Sequence, residues 1–129
     1  MSKKIIETST APKAIGPYSQ AVKAGGLIFV SGQIPINPNT NELVSGSIET
    51  ETTHVMENLK AILSAAGATL ADVVKTTIYL ADMGDFAKVN EVYGSYFTGS
   101  YPARATVQVA GLPKGVRVEI DAVAIASER

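Results

Sequence analysis

The chain has 129 residues, no cysteine and one histidine, His54, which excludes disulfides, thiolate metal centres and cysteine nucleophiles and makes a Ser-His-Asp triad or a multi-histidine metal site hard to build within one chain. Eleven basic residues stand against 12 acidic ones, a net charge of −1, so no global field draws the chain to nucleic acid or to acidic lipid. The composition, 46% apolar and 18% charged, is globular but low in surface charge, as expected where another chain covers part of the surface.

The length suits a single domain over residues 1–129, large enough to bury a core without staples. Near the start, Lys3-Lys4 precedes Ile5-Ile6, but Glu7 and Thr8 interrupt the apolar run. No signal peptide is read there, and no apolar run is long enough to span a membrane. A cytoplasmic location is expected, in keeping with the missing cysteines. The first strand is predicted over Lys4–Thr8, and Gly16-Pro17 opens a turn. Strands over Ala21–Ala24 and Leu27–Gln33 flank a hairpin loop at Gly25-Gly26. Asn37-Pro38-Asn39-Thr40-Asn41 reads as a loop by composition.

A helix follows over residues 48–66, where Val55, Leu59, Ile62, Leu63 and Ala66 form one apolar stripe. Ser47 is its candidate N-cap, Glu49 and Glu51 suit the positive end of the helix dipole, and Gly67 suits the stop. Beyond a strand over Val73–Leu80, a second helix is predicted from Phe86 to Phe97. Asp85 is its candidate cap, and Phe86, Val89, Tyr93 and Tyr96 its buried stripe. Gly94 lies inside that helix at a cost of about 1 kcal/mol relative to alanine, and close packing against a strand is one reason to tolerate it. Two further strands, Arg104–Val109 and Val116–Ile125, close the chain.

Three strands, helix, strand, helix and two strands imply an α/β protein: a two-layer sandwich of a mixed six-stranded sheet with both helices on one face. Leu27, Ile28, Phe29 and Val30 are apolar on both faces of their strand, so the sheet needs a second cover. No residues remain to supply it, and a homo-oligomer packed through the uncovered face is the expectation.

The last two strands read as a hairpin around Ala110–Gly115. In that pairing Arg104, Thr106 and Gln108 share a polar face with Arg117, Glu119 and Asp121, and Arg104 and Glu119 become diagonal neighbours. In a generic hairpin an ordinary cross-strand ion pair on a solvated face is the favoured explanation. At a subunit seam, however, Arg104, entered rigidly through Tyr101-Pro102-Ala103, would suit a small carboxylate, whose two oxygens match its planar fork.

Pro102-Ala103-Arg104-Ala105-Thr106-Val107-Gln108-Val109 and Val118-Glu119-Ile120-Asp121-Ala122-Val123-Ala124 resemble the signature of the RidA (YjgF) family. Ile15-Gly16-Pro17-Tyr18-Ser19-Gln20-Ala21, Phe29-Val30-Ser31-Gly32-Gln33-Ile34-Pro35, Glu57-Asn58-Leu59, Val74–Leu80 and Phe86–Tyr93 are similar too, so the resemblance runs from about Ile5 to Ala126. It implies a chorismate-mutase-like fold and a homotrimer with pockets between subunits. The implied activity is cofactor-independent hydrolysis of 2-imino acids, the enamine/imine products of serine and threonine dehydratases, to 2-oxo acids and ammonia. Carried over to matching positions, Arg104 would bind the substrate carboxylate and Glu119 would hold or activate water. Thr106 would line the pocket beside the imine, and Tyr18, Ser31, Gly32 and Asn90 would complete the wall. Many relatives carry cysteine in place of Thr106. Threonine keeps the backbone contact without a thiol, so hydrolysis by water is expected to survive, and a redox role at this position is put in doubt.

Simpler roles stand beside these. Tyr18 suits a turn cap, Ser31-Gly32 a bulge or a close backbone approach, and Asn90 a solvated helix surface or a contact to a loop. His54, Lys3, Lys4 and Lys114 read as surface residues, and no metal site is expected. Competing functions are a non-catalytic trimer holding small carboxylates and a ribonuclease or translation inhibitor. The latter is disfavoured by the lack of a basic patch and of a histidine pair. A chorismate-mutase reaction is weaker still, since fold alone does not set function.

Overall fold

The structure is a computed structural model and describes residues 2–126. In chain order the elements are β1 (Lys4–Ile6), β2 (Ala21–Ala24), β3 (Leu27–Gln33), β4 (Ile36–Asn37), β5 (Glu42–Leu43), α1 (Ile48–Ala65), β6 (Val73–Leu80), α2 (Phe86–Ser95), β7 (Ala103–Gln108) and β8 (Val118–Ile125). Six strands form one mixed sheet in the order β1-β2-β3-β8-β6-β7. Its pairs are antiparallel except β6–β7. The loop predicted at residues 37–41 is, beyond Asn37, the turn that joins β4 and β5 in a short hairpin outside the main sheet.

Both helices lie on one face of the sheet, as expected. Val55, Met56, Leu59, Ile62 and Leu63 of α1 and Val89 and Tyr93 of α2 share one core with Ile28, Val30, Ile78, Leu80, Val118, Ile120, Ala122 and Ala124. Each large side chain removed from water there contributes roughly 1.5–3 kcal/mol before entropy is counted. Ser47 caps α1, its side chain accepting from the Thr50 amide. At the other end Gly67, with φ at +83°, allows a Schellman stop. There the Ala68 amide donates to the Leu63 carbonyl at 2.8 Å and the Gly67 amide to the Ser64 carbonyl at 3.0 Å. Asp85 does not cap α2. A 3₁₀ turn over Met83–Asp85 leads into the helix, so Asp85 is already helical, and Asp82 caps that turn by accepting from the Gly84 amide at 2.8 Å.

The expected β7–β8 hairpin does not form. α2 is the kind of crossover that a parallel pair requires, and it carries the chain from β6 to β7, which add in parallel. β8 then fills the gap between β3 and β6, antiparallel to both. The opposite face of the sheet carries Ile5, Phe29, Val107 and Ile125, all exposed, with Val22 and Val123 half-buried between them. An apolar face of this kind is what the two-sided pattern of β3 predicts.

Candidate active site in two halves

The register of the sheet decides where the chemistry-bearing residues point. Arg104 pairs with Thr76, and Thr106 with Ile78. Thr76 and Ile78 are buried against the helices, and paired residues share a face, so Arg104 and Thr106 stand on the helix side. Glu119 pairs with Tyr79, an odd number of residues further along β6, so it stands on the open side. Arg104 and Glu119 are therefore not diagonal neighbours. Two strand spacings, roughly 10 Å, and three residues, roughly another 10 Å along the strands, separate their backbones, and their side chains leave opposite faces. Arg117 also departs from the expected row. Its guanidinium reaches Glu51 of α1, with Nε 2.8 Å from Oε2, and donates to the Gly46 carbonyl.

The first half-site gathers on α2. Arg104 donates from Nη1 to Asn90 Oδ1 at 2.5 Å. Its Cζ lies 5.5 Å from the centre of the Phe86 ring and 5.3 Å from that of Tyr93. The Tyr93 hydroxyl is anchored at 2.6 Å to Thr76 Oγ1 on β6. Burial holds the Tyr93 phenol above its ordinary pKa, with opposing contributions from Thr76 and Arg104. Arg104, Asn90, Tyr93, Gly94, Tyr101 and Pro102 border a cleft of about 500 Å³. The expected tight packing at Gly94 is absent, since a Cβ there would meet nothing within 4 Å; the glycine borders the cleft instead. Thr106 stands two residues beyond Arg104, and its Oγ1 is buried without a hydrogen-bond partner.

The second half-site gathers where β3 bulges. Opposite β8, Val30 pairs with Ala122 and Gln33 with Ile120, so Ser31 and Gly32 occupy an irregularity in the ladder. Both simple readings of Ser31-Gly32 hold at once: the pair is a bulge, and it permits a close approach. A Cβ on Gly32 would overlap the Glu119 carboxylate, lying 2.8 Å from its Cδ. Ser31 Oγ donates to the Ser19 carbonyl at 2.6 Å, tying the bulge to the preceding turn. In that turn the Tyr18 hydroxyl accepts from the Ile15 amide at 3.1 Å, so Tyr18 is a turn cap and a wall together. With Ile15 and Pro113, the four residues Tyr18, Ser31, Gly32 and Glu119 border a pocket of about 280 Å³. Partial burial raises the Glu119 pKa, and the nearby Asp121 carboxylate adds to the rise. Asp121 in turn accepts from the Tyr79 hydroxyl at 3.0 Å.

The structure thus sorts the predicted residues into two groups, Arg104, Asn90 and Thr106 on one side and Tyr18, Ser31, Gly32 and Glu119 on the other. Sequence reasoning missed the contact of Phe86 and Tyr93 with Arg104, having assigned both rings to the core. The spacing of Phe86, Asn90 and Tyr93 at i, i+4 and i+7 was the available signal. Tyr96 is half-buried, and its hydroxyl donates to Glu57 Oε2 at 2.7 Å. His54, expected at the surface, is half-buried on α1. Among the described residues no group of three or more His, Asp or Glu side chains is placed to hold a metal ion.

The sequence model of the family described as Endoribonuclease L-PSP matches residues 8–126. Protein DfrA of Myxococcus xanthus is 59% identical over 127 residues, covering 97% of this chain and 97% of that protein. The mouse protein named 2-iminobutanoate/2-iminopropanoate deaminase is 53% identical over 123 residues, covering 95% of this chain and 91% of the relative. The crystal structure of E. coli TdcF with bound serine superposes with a TM-score of 0.92 at 47% identity, covering 96% of this chain and 99% of that one. A match over nearly the whole length, to sequence and fold alike, makes the chain a member of the RidA family, the family of that Endoribonuclease L-PSP model.

Proposed function

We propose that two copies of this chain build one active site between them, and that the assembled protein, a homotrimer, hydrolyses small 2-imino acids to 2-oxo acids and ammonia. The observation that carries this reading is the division of the site: an arginine with an open cleft on one face, a carboxylate with an open pocket on the other. The exposed apolar sheet face supplies the means of assembly, and the name of the mouse relative supports the substrate class.

In this mechanism Arg104 takes the substrate carboxylate of 2-iminopropanoate or 2-iminobutanoate, which fixes C2 and turns the attack of water into an oriented encounter. Glu119 of the neighbouring copy accepts a proton from that water as its oxygen bonds to C2 of the protonated imine. The resulting carbinolamine gains a proton on nitrogen from Glu119, the C–N bond breaks, and the departing ammonia takes up the proton that the C2 oxygen loses as it becomes the oxo group. Thr106, two residues beyond Arg104 on the same face, lines the site beside the substrate nitrogen partly through its backbone carbonyl, and Tyr18, Ser31, Gly32 and Asn90 complete the wall. A protonated imine is already an electrophile, so the route needs no cofactor. Among the described residues no helix is long and apolar enough to cross a membrane, and a cytoplasmic location, beside the dehydratases that release such imines, is part of the proposal.

The test is a coupled assay in which threonine dehydratase generates 2-iminobutanoate and the appearance of 2-oxobutanoate is followed. Wild type is expected to accelerate it and Arg104→Ala to lose the acceleration, with light scattering reporting three times the 13.5 kDa chain mass. The TdcF structure with bound serine favours a second reading, a carboxylate-binding trimer without catalysis. Binding of 2-oxobutanoate with no acceleration by folded wild type would support it. The family description names a third activity, RNA cleavage, which salt-sensitive cleavage of single-stranded RNA at micromolar protein would revive.

A further inference from the structure

We infer that Phe86 and Tyr93, with Asn90 between them, are positioning residues: a clamp on one face of α2 that holds the Arg104 guanidinium ready for a carboxylate. The inference rests on the reading of Arg104 as the carboxylate anchor and deepens it.

Phe86 and Tyr93 are seven residues apart, hence on the same helix face and roughly 10 Å apart along its axis. The guanidinium carbon lies over both rings, 5.5 Å from the centre of one and 5.3 Å from that of the other. Both distances fall within the range of cation–π attraction. Asn90, one turn on from Phe86, takes Nη1 from the side. The clamp is itself anchored, because the Tyr93 hydroxyl is bonded to Thr76 on the strand next to β7. Tyr93 is buried, whereas Phe86 remains 37% exposed. An exposed phenylalanine adds little to the core, so its contact with Arg104 is what its position offers.

Among the described residues the Arg104 side chain makes no salt bridge, and its hydrogen bond goes to Asn90. Its remaining donors are left for a ligand. Two rings and an amide restrict the rotamers of a long, flexible side chain before the ligand arrives, and that reduces the ordering cost of binding. Lysine at position 104 would meet neither requirement, having no plane to stack and no fork for two oxygens. The Phe86 ring is the test position because its removal leaves Tyr93 and the core in place.

The experiment uses the full, assembled protein, with 2-oxobutanoate as probe. Binding is measured by calorimetry for wild type, Phe86→Leu, Phe86→Tyr and Arg104→Ala, alongside the ¹H–¹⁵N resonance of Arg104 Nε–H. Phe86→Leu is expected to weaken binding roughly five-fold with an unchanged thermal midpoint, and Phe86→Tyr to restore it. In turnover the loss should appear in KM more than in kcat, since the carboxylate contact is made equally in ground and transition states. The ring-current shift of Arg104 Nε–H should shrink in Phe86→Leu, a readout that needs no ligand. If Arg104→Ala abolishes binding while Phe86→Leu binds as wild type with the Nε–H resonance unmoved, the clamp is refuted and the anchor stands. If Arg104→Ala binds as wild type, the anchor itself is wrong and the inference falls with it.

Discussion

Substituting Gly32 by alanine separates the chemistry of the Glu119 half-site from its folding. Gly32 has no left-handed backbone, so alanine meets no intrinsic strain there. What the new methyl meets is the Glu119 carboxylate, whose Cδ at 2.8 Å must retreat to at least the 3.4 Å of ordinary contact, and whose Oε2 must move further still. The side chain is long enough to turn aside, so the fold is not asked to yield. Alanine also narrows the unfolded ensemble, worth about 0.4–1 kcal/mol in favour of the folded state. Stability should therefore stay within about 1 kcal/mol of wild type. In the proposed mechanism activity should not: displacing a catalytic group by about 1 Å costs on the order of 100-fold, and a shift of 0.6 Å or more at Cδ predicts a fall of roughly 10- to 100-fold in kcat. The coupled dehydratase assay reads the rate, and a thermal melt at fixed protein concentration reads the fold. A Gly32→Ala protein with full turnover would refute both the need for the close approach of Gly32 to Glu119 and the placement of the reacting water beside Glu119. A protein that melted far below wild type would show that Gly32 serves the fold rather than the carboxylate.

The raised Glu119 pKa gives two linked outcomes. In its proposed role as base Glu119 must be ionised, so the acid limb of kcat/KM should lie above the ordinary carboxylate value of 4.5, with activity falling as the pH drops through it. In the folded state the proton is held more tightly than in the unfolded chain, so ionised Glu119 lowers stability as the pH rises through that range. Glu119→Gln should therefore raise the thermal midpoint at pH 7 while abolishing turnover. A midpoint below that of wild type would mean the carboxylate is stabilised by contacts that burial does not reveal. Elsewhere, Glu51 is held at 9% side-chain exposure by Arg117, which is itself 42% exposed. Arg117→Ala should cost about 1–3 kcal/mol in urea unfolding, and replacing both residues by methionine should recover part of it; an unchanged midpoint would show that solvent already screens the pair.

What was legible in the sequence was local. The stripe from Val55 to Ala66, the Ser47 cap, the Gly67 stop and the alternation of β8 follow from backbone periodicity and from the few residues that tolerate special positions. Candidates for the site were legible through their motifs. Their arrangement was not, because it depends on which strand lies between which. Adjacent β7 and β8 read as a hairpin, and only the insertion of β8 beside β3 places Arg104 and Glu119 on opposite faces. Phe86 illustrates another limit. Its spacing marks one face of α2, but periodicity does not say whether a core or a guanidinium covers that face, and Arg104 arrives from 18 residues further along the chain.

Opposite faces have a consequence that a mixture of inactive proteins exposes. A chain carrying Arg104→Ala keeps an intact Glu119 half-site, and a chain carrying Glu119→Gln keeps an intact Arg104 half-site. If each active site takes one half from each of two copies around a closed ring, co-refolding the two variants in equal amounts assembles some sites from two good halves. Random assortment gives a given site its arginine in half of cases and its glutamate in half, so about a quarter of wild-type activity should return. Neither variant alone can show this, and the fraction does not depend on how much each group contributes to the rate. A site built within one chain gives no recovery at any mixing ratio, because every chain then carries its own defect. Native mass spectrometry would establish that mixed assemblies had formed. Mixed assemblies without activity would overturn the shared site, whatever the oligomer's size, and would require Arg104 and Glu119 to belong to separate functions on the two faces of the sheet.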